Sequence, residues 1–299
     1  MLGRLIGGAW AALVWGLAGA FAGALPGTVA GGLGPVLGWD PAVGFVVGAA
    51  GALAGGIAWG LAGALRWIPT EGSGRFLGQA PAGALVWGLA GALALSLTWV
   101  VVGLAADGGF PWFVALGLVW LLDVGLVGGL ARGFSRSSAG RRFCWQTGVP
   151  GAALLGGIVG VTHIFHLGVG LAQGVDLPVL TVVGALLAAL GAAWVGTLCA
   201  PDQTSSRILT VVVVAEAAAA VGSAVVFGLW TVFGPTIFLR SWLGLSGPIA
   251  GSIAIPTLAG SLATWQLRSD DRSLREDLLA TLALVGLAAL AVYLVLFRT

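Results

Sequence analysis

What most constrains this chain is the length of its uncharged stretches. Apolar runs repeatedly exceed the roughly 20 residues needed to cross a hydrocarbon core, and short arginine-marked loops separate them. The sequence is 59% hydrophobic and 8% charged, against roughly 25% charged residues in a soluble domain. The expected fold class is therefore all-α: a polytopic integral membrane helical bundle forming a single transmembrane domain. A β-barrel would need ten-residue segments of alternating polarity, and these runs do not alternate.

Hydropathy places nine spans, at about 5–27, 42–66, 81–105, 111–133, 149–171, 178–199, 208–233, 247–267 and 277–297. Proline stands at the expected start of several, at Pro41, Pro81, Pro111, Pro150, Pro178 and Pro248, since a first helical turn does not need its missing N–H. The N-terminus, with Arg4 before an apolar run and Ala22-Gly23-Ala24 beyond it, has the outline of a signal peptide. No polar region precedes that point, so the segment reads as a retained first helix.

Arginine sets the orientation, because the chain has no lysine. With the N-terminus in the cytoplasm, Arg4, Arg66, Arg75, Arg132, Arg136, Arg141, Arg142, Arg207, Arg268, Arg272 and Arg275 fall inside, and only Arg240 and Arg298 outside. That bias matches the positive-inside rule. It leaves the C-terminus outside and points to the plasma membrane. Trp39, Trp112 and Trp242 at outer ends, and Trp67, Trp145 and Trp265 at inner ends, are expected to form aromatic belts. The net charge of +2 is too small to suggest a nucleic-acid partner.

A repeat is visible as well. The word from Leu13 to Ala20 recurs from Leu85 to Ala92, and its core returns from Trp59 to Ala64. Pro41, Pro111, Pro178 and Pro248 are spaced 70, 67 and 70 residues apart. Four helical hairpins are expected from this, at about 1–70, 71–140, 141–207 and 208–270, followed by a closing helix at about 277–297. Small residues at every fourth position should let backbones approach closely. Such grooves are expected at Gly44, Gly48, Ala52, Gly56, Gly60 and Ala64; at Gly125, Gly129 and Gly133; at Ala152, Gly156 and Gly160; and at Gly184, Ala188, Ala192 and Gly196.

Ionisable groups inside a bilayer are costly and point to function. The spans hold Asp123, His163, His166 and Glu216. At 1.5 Å per residue the two carboxylates lie roughly 12–14 Å from the inner ends of their spans and the histidines roughly 21–25 Å, with Ser96 and Thr98 at about the histidine level. These four residues are expected to form a proton or cation relay, because histidine titrates near neutral pH and burial raises a carboxylate toward it. Each could instead be a buried polar side chain satisfied by a neighbouring helix. Pro248 and Pro256 should kink the eighth span, and broken helices line substrate sites in transporters.

Other chemistries have less behind them. A haem or other tetrapyrrole could be held by His163 or His166. Both stand on one helix three residues apart, so they cannot ligate opposite faces of one haem. They could share one metal ion, but the His-Glu-x-x-His motif of zinc proteases is missing, as are Walker and dinucleotide fingerprints. Cys144 and Cys199 have no metal or redox spacing and do not suggest a disulfide framework. Gly244-Leu245-Ser246-Gly247 resembles the Gly-x-Ser-Gly of rhomboid intramembrane proteases, but no histidine follows Ser246 as that family requires. It reads as a turn before Pro248.

The basic loop 132–142 is expected to set topology and touch headgroups, and could dock a soluble protein partner. Two function classes therefore stand: a secondary transporter or permease, and a non-catalytic scaffolding subunit of a larger membrane complex. A cofactor-binding redox subunit is third.

Overall fold

The structure is a computed structural model. It describes residues 2–37, 41–67, 74–106 and 112–170, short helical stretches at 195–196, 198–199, 250–251 and 253–259, and a few positions between 276 and 290. Every described element is helical. In order they are α1 (Leu2–Leu33), a 3₁₀ turn (Gly34–Leu37), α2 (Pro41–Trp67), α3 (Gly74–Ala106), α4 (Trp112–Ser135), α5 (Ser138–Phe143), a π turn (Cys144–Gly148) and α6 (Val149–Gly170). Among the described residues three segments are long and apolar enough to cross a membrane, Ile6–Val36, Gly44–Ala64 and Leu77–Val101. Glu216, Pro248, the Gly244–Gly247 turn and most of the expected last four spans lie outside the described residues.

Proline placed the helix ends less well than expected. Pro41 does open α2, but Pro81 lies inside α3, which begins at Gly74. Gly78, Pro81 and Ala82 are exposed, so the Leu77 carbonyl that proline leaves without a donor is not sealed in a core. Likewise α1 continues through Pro26 to Leu33. The Pro26 ring fills the space over Gly91, and the carbonyl it frees, that of Ala22, lies against Gly88 of α3. Pro150 does not open a new helix either. Backbone angles at Phe143, Cys144 and Val149 are all helical, so one helix runs from Ser138 to Gly170. Pro150 has no N–H for the Gln146 carbonyl, and the helix widens into the π turn just before it.

The tightest contact is between α1 and α2, which run antiparallel, glycine against glycine. Gly19 meets Gly55, Gly23 meets Gly51, Gly27 meets Gly48, and Gly31 meets Gly44. A Cβ at Gly23 would overlap the Gly51 carbonyl, and one at Gly51 would overlap the Gly23 carbonyl. The expected groove on α2 is right at Gly44 and Gly48 and then shifts. The closest positions continue at Gly51 and Gly55, while Gly56 and Gly60 stand off a little, with α1 atoms 3.4 and 3.2 Å from where their Cβ atoms would be. Strict four-residue spacing drifts around a helix, whereas mixed fours and threes approximate the 3.5-residue period that stays on one partner.

The groove expected at Gly125, Gly129 and Gly133 is not closed by anything in the described residues. All three are exposed, and nothing lies within 4 Å of where their Cβ atoms would be. Small residues permit a close approach but do not supply the partner. Ala152 and Gly156 of α6 are buried as expected, and so is Gly196.

Tryptophan fills the core. Trp15, Trp59, Trp87 and Trp99 are all fully buried, and Trp145, expected at the inner interface, is packed into the π turn. Trp39, Trp242 and Trp265, and the side chains of Trp67 and Trp112, lie outside the described set. The first three buried tryptophans head the three copies of the repeated word. Trp15 covers Gly63, at 2.7 Å from its Cβ position, and Trp59 covers Gly19, at 2.6 Å. Each tryptophan thus closes over the glycine four residues past the other, and the two rings meet at 5.8 Å. The third word clasps α6 instead: Trp87 covers Gly151, and Leu155 covers Gly91.

Gly51→Ala is expected to lower stability by about 1–3 kcal/mol through overpacking against a backbone that cannot move aside. Gly129→Ala, on the open face of α4, should change it by less than about 0.5 kcal/mol. Thermal unfolding of the two variants in one detergent checks the contrast.

Candidate functional site

The face between α3 and α6 joins the buried core to the ionisable residues. Three contacts fix its register: Gly83 with Thr147, Trp87 with Gly151, and Gly91 with Leu155. All three pairs differ by the same 64 positions, so the two helices run in the same direction. At its base Trp87 Nε1 donates to Thr147 Oγ1 at 3.2 Å, and Thr147 Oγ1 in turn donates to the Phe143 carbonyl at 2.9 Å. The hydroxyl thus sits in the π turn as both acceptor and donor, and satisfies a buried indole.

The same register places Ser96 and Thr98 opposite residues 160 and 162 of α6, both within a turn of His163, with Thr98 about one turn from His166. Thr98 is buried, and its hydroxyl donates to the Ala94 carbonyl at 2.8 Å; Ser96 donates to Ala92 at 2.7 Å. Each hydroxyl keeps an acceptor lone pair after that bond. The α6 backbone carries His163 on the face that Ala152 and Gly156 bury. The side chains of His163, His166 and Asp123 lie outside the described ones.

Asp123 stands on α4, which turns back through Arg136 and Ser137 into α5. Measured along the helices from that shared turn, Asp123 is about 18 Å up, His163 about 37 Å and His166 about 42 Å. In the described residues α4 meets the helix of α5 and α6 around the turn and the π turn, and farther along Val119 of α4 shares a small buried cluster with Ala94 of α3 and Val159 of α6. Pro256 is buried within the helical stretch 253–259, whose Ile253 packs on Gly157 of α6, and Thr257 Oγ1 bonds the Ile253 carbonyl at 2.6 Å. The described part of the eighth expected span thus lies against α6 on the Val149 side of the histidines. No group of three metal-ligating side chains forms among the described residues.

The cysteines correct the sequence reading. Cys144 and Cys199 are joined in a disulfide across 55 positions, with Cα atoms 5.9 Å apart. It staples the π turn to the helical stretch 198–199, and both residues are fully buried. Cys199 Sγ also lies 3.8 Å from the Ala131 carbonyl. A bonded sulfur carries no hydrogen, so that approach is packing and ties in the lower part of α4. Spacing alone could not reveal this pair, because only the return of the chain to the inner end brings the residues together. The Trp87–Thr147 bond was hidden for the same reason, although the repeated tryptophan word marked one partner.

The sequence matches no known protein family, and no similar curated protein or solved structure is found for it.

Thr147→Val keeps the shape of the side chain and leaves Trp87 Nε1 without its acceptor. It is expected to cost about 1–2 kcal/mol, and Thr147→Val on a Trp87→Phe background should cost less. A double-mutant cycle on unfolding free energies checks the coupling.

Proposed function

We propose that the chain is a plasma-membrane protein of about nine spans, N-terminus inside and C-terminus outside, that works as a secondary transporter or permease. Asp123, His163, His166 and Glu216 carry a proton or cation between them, and the stretch from Pro248 to Pro256 borders the pathway. The observation that carries this reading is the register of α3 on α6, which brings the buried Thr98 to the level of the histidines. A relay needs such polar stations between its titrating groups, since the bilayer offers none. The division of the bundle supports it further. Helix α1 is closed on α2 through glycine and tryptophan and on α3 through glycine and Pro26, while Asp123 and the two histidines ride on α4 and α6. Asp123 and the histidines stand at different levels along their helices, and in this reading Glu216 or water bridges them.

Proton flux into sealed vesicles holding the purified protein tests the relay. Wild-type flux is expected to fall to the leak of protein-free vesicles in Glu216→Gln and in His163→Ala. Equal flux in wild type, both variants and empty vesicles, with all three proteins folded, would sink it.

A scaffolding subunit is the second reading, favoured by the open glycine face of α4 and by the exposed arginines of 132–142. A protein partner would dock there and recover in stoichiometric amount with the chain from mild detergent. A tetrapyrrole on His163 or His166 would instead give the purified protein a visible absorption band.

A further inference from the structure

We propose that the outward face of α4 and the arginine turn beneath it bind one anionic phospholipid, with the headgroup phosphate held by arginines and an acyl chain along the helix. The proposal rests on the chain lying in a bilayer and not on transport.

The face is defined by position and exposure together. Val114, Leu118, Leu121 and Leu122 are exposed, Leu121 at 70%, and Gly125 and Gly129 continue the same side of the helix toward its inner end. At 100° per residue Arg132 falls in line with Leu118 and Gly125, and it too is exposed. Apolar surface therefore leads directly down to a guanidinium. A free phosphate would use the guanidinium and leave that surface idle, whereas a phospholipid uses both.

Below Arg132 the chain reverses within two residues of the end of α4. Ser137 accepts from the Gly140 N–H at 3.0 Å, the Arg141 N–H donates to the Ser137 carbonyl at 2.8 Å, and Phe134 meets Phe143 with ring centroids 5.1 Å apart. The ring contact ties the two arms of the turn, so Arg136, Arg141 and Arg142, all exposed, are held at the same end as Arg132. The sequence has no acidic residue between Asp123 and Asp176, so no acid within that stretch neutralises the four. Guanidinium groups bind phosphate oxygens in pairs, which a single ammonium cannot do, and basic groups at the inner membrane surface attract anionic lipid.

The test uses the full chain, purified in a mild detergent with equal amounts of phosphatidylglycerol and phosphatidylcholine, and counts retained lipid by native mass spectrometry. Wild type is expected to retain phosphatidylglycerol about fivefold or more over phosphatidylcholine. Arg132→Gln/Arg136→Gln and Arg141→Gln/Arg142→Gln should each lose most of that preference, and each keeps the other arginine pair for membrane orientation. Unfolding temperatures in lipid-free detergent confirm that the variants fold. Equal retention of the two lipids by wild type overturns the proposal, as does a preference that survives in both variants. Full displacement of the lipid by glycerol phosphate also overturns it, because the apolar face would then contribute nothing. So would protection of the turn by a copurifying acidic protein with no lipid retained.

Discussion

The described bundle depends on two backbones touching. Lipid chains are as apolar as leucine, so no hydrophobic gain drives one helix onto another inside a bilayer, and what remains is contact at short range. Between α1 and α2 that contact is taken to its limit, with glycine placed against glycine over about four turns. A side chain at Gly19, Gly23, Gly27, Gly44, Gly51 or Gly55 would force the helices apart and forfeit the dispersion attraction of everything beside it. The same contact sets the positions of α3 and α6. Once α1 is fixed, Gly88 and Gly91 of α3 fit onto Ala22 and Pro26, and once α3 is fixed, its Trp87 fixes α6.

Tryptophan is the counterpart of the missing side chains. A helix pair made only of glycine and alanine would leave gaps on either side of its line of contact, and large flat rings close them. The repeated word supplies both parts in one segment, a ring and then a bare backbone position one turn later. Two copies run antiparallel and serve each other; the third finds a glycine on α6 and accepts a leucine in return. One segment thus builds two helix pairs of opposite relative direction.

Much of this was legible in the sequence, at the level of which stretches are helices. The expected span at 42–66 corresponds to α2, the one at 111–133 to α4, and the one at 149–171 to α6. Proline misled at 81 and 150 because a helix stops at proline only where the freed carbonyl has no remedy; exposure serves at one site and a π turn at the other. Glycine spacing named the start of the groove on α2 and could not say that the one on α4 would find no partner among the described residues, since a partner is a property of the fold. The ionisable residues stood out by their rarity. Their spacing along the spans already set carboxylates and histidines at different levels; what it could not show is that the helix carrying the histidines begins at Ser138, eleven residues before its apolar run.

The buried disulfide has a bearing on how the inner end of the molecule moves. Under the orientation proposed above, Cys144 and Cys199 face the compartment where thiols are kept reduced. Exchange requires a thiolate to reach one of the two sulfurs directly, and both cysteines are sealed beneath Val195, Gly148 and the base of α4. Reductant can therefore act only during moments when the cover over the two sulfurs, Val195 and the Ala131 end of α4, moves off them while the bridge itself still holds. The bridge works as a clock on that uncovering: its rate of reduction in the folded protein, at saturating reductant, equals the rate at which the cover opens.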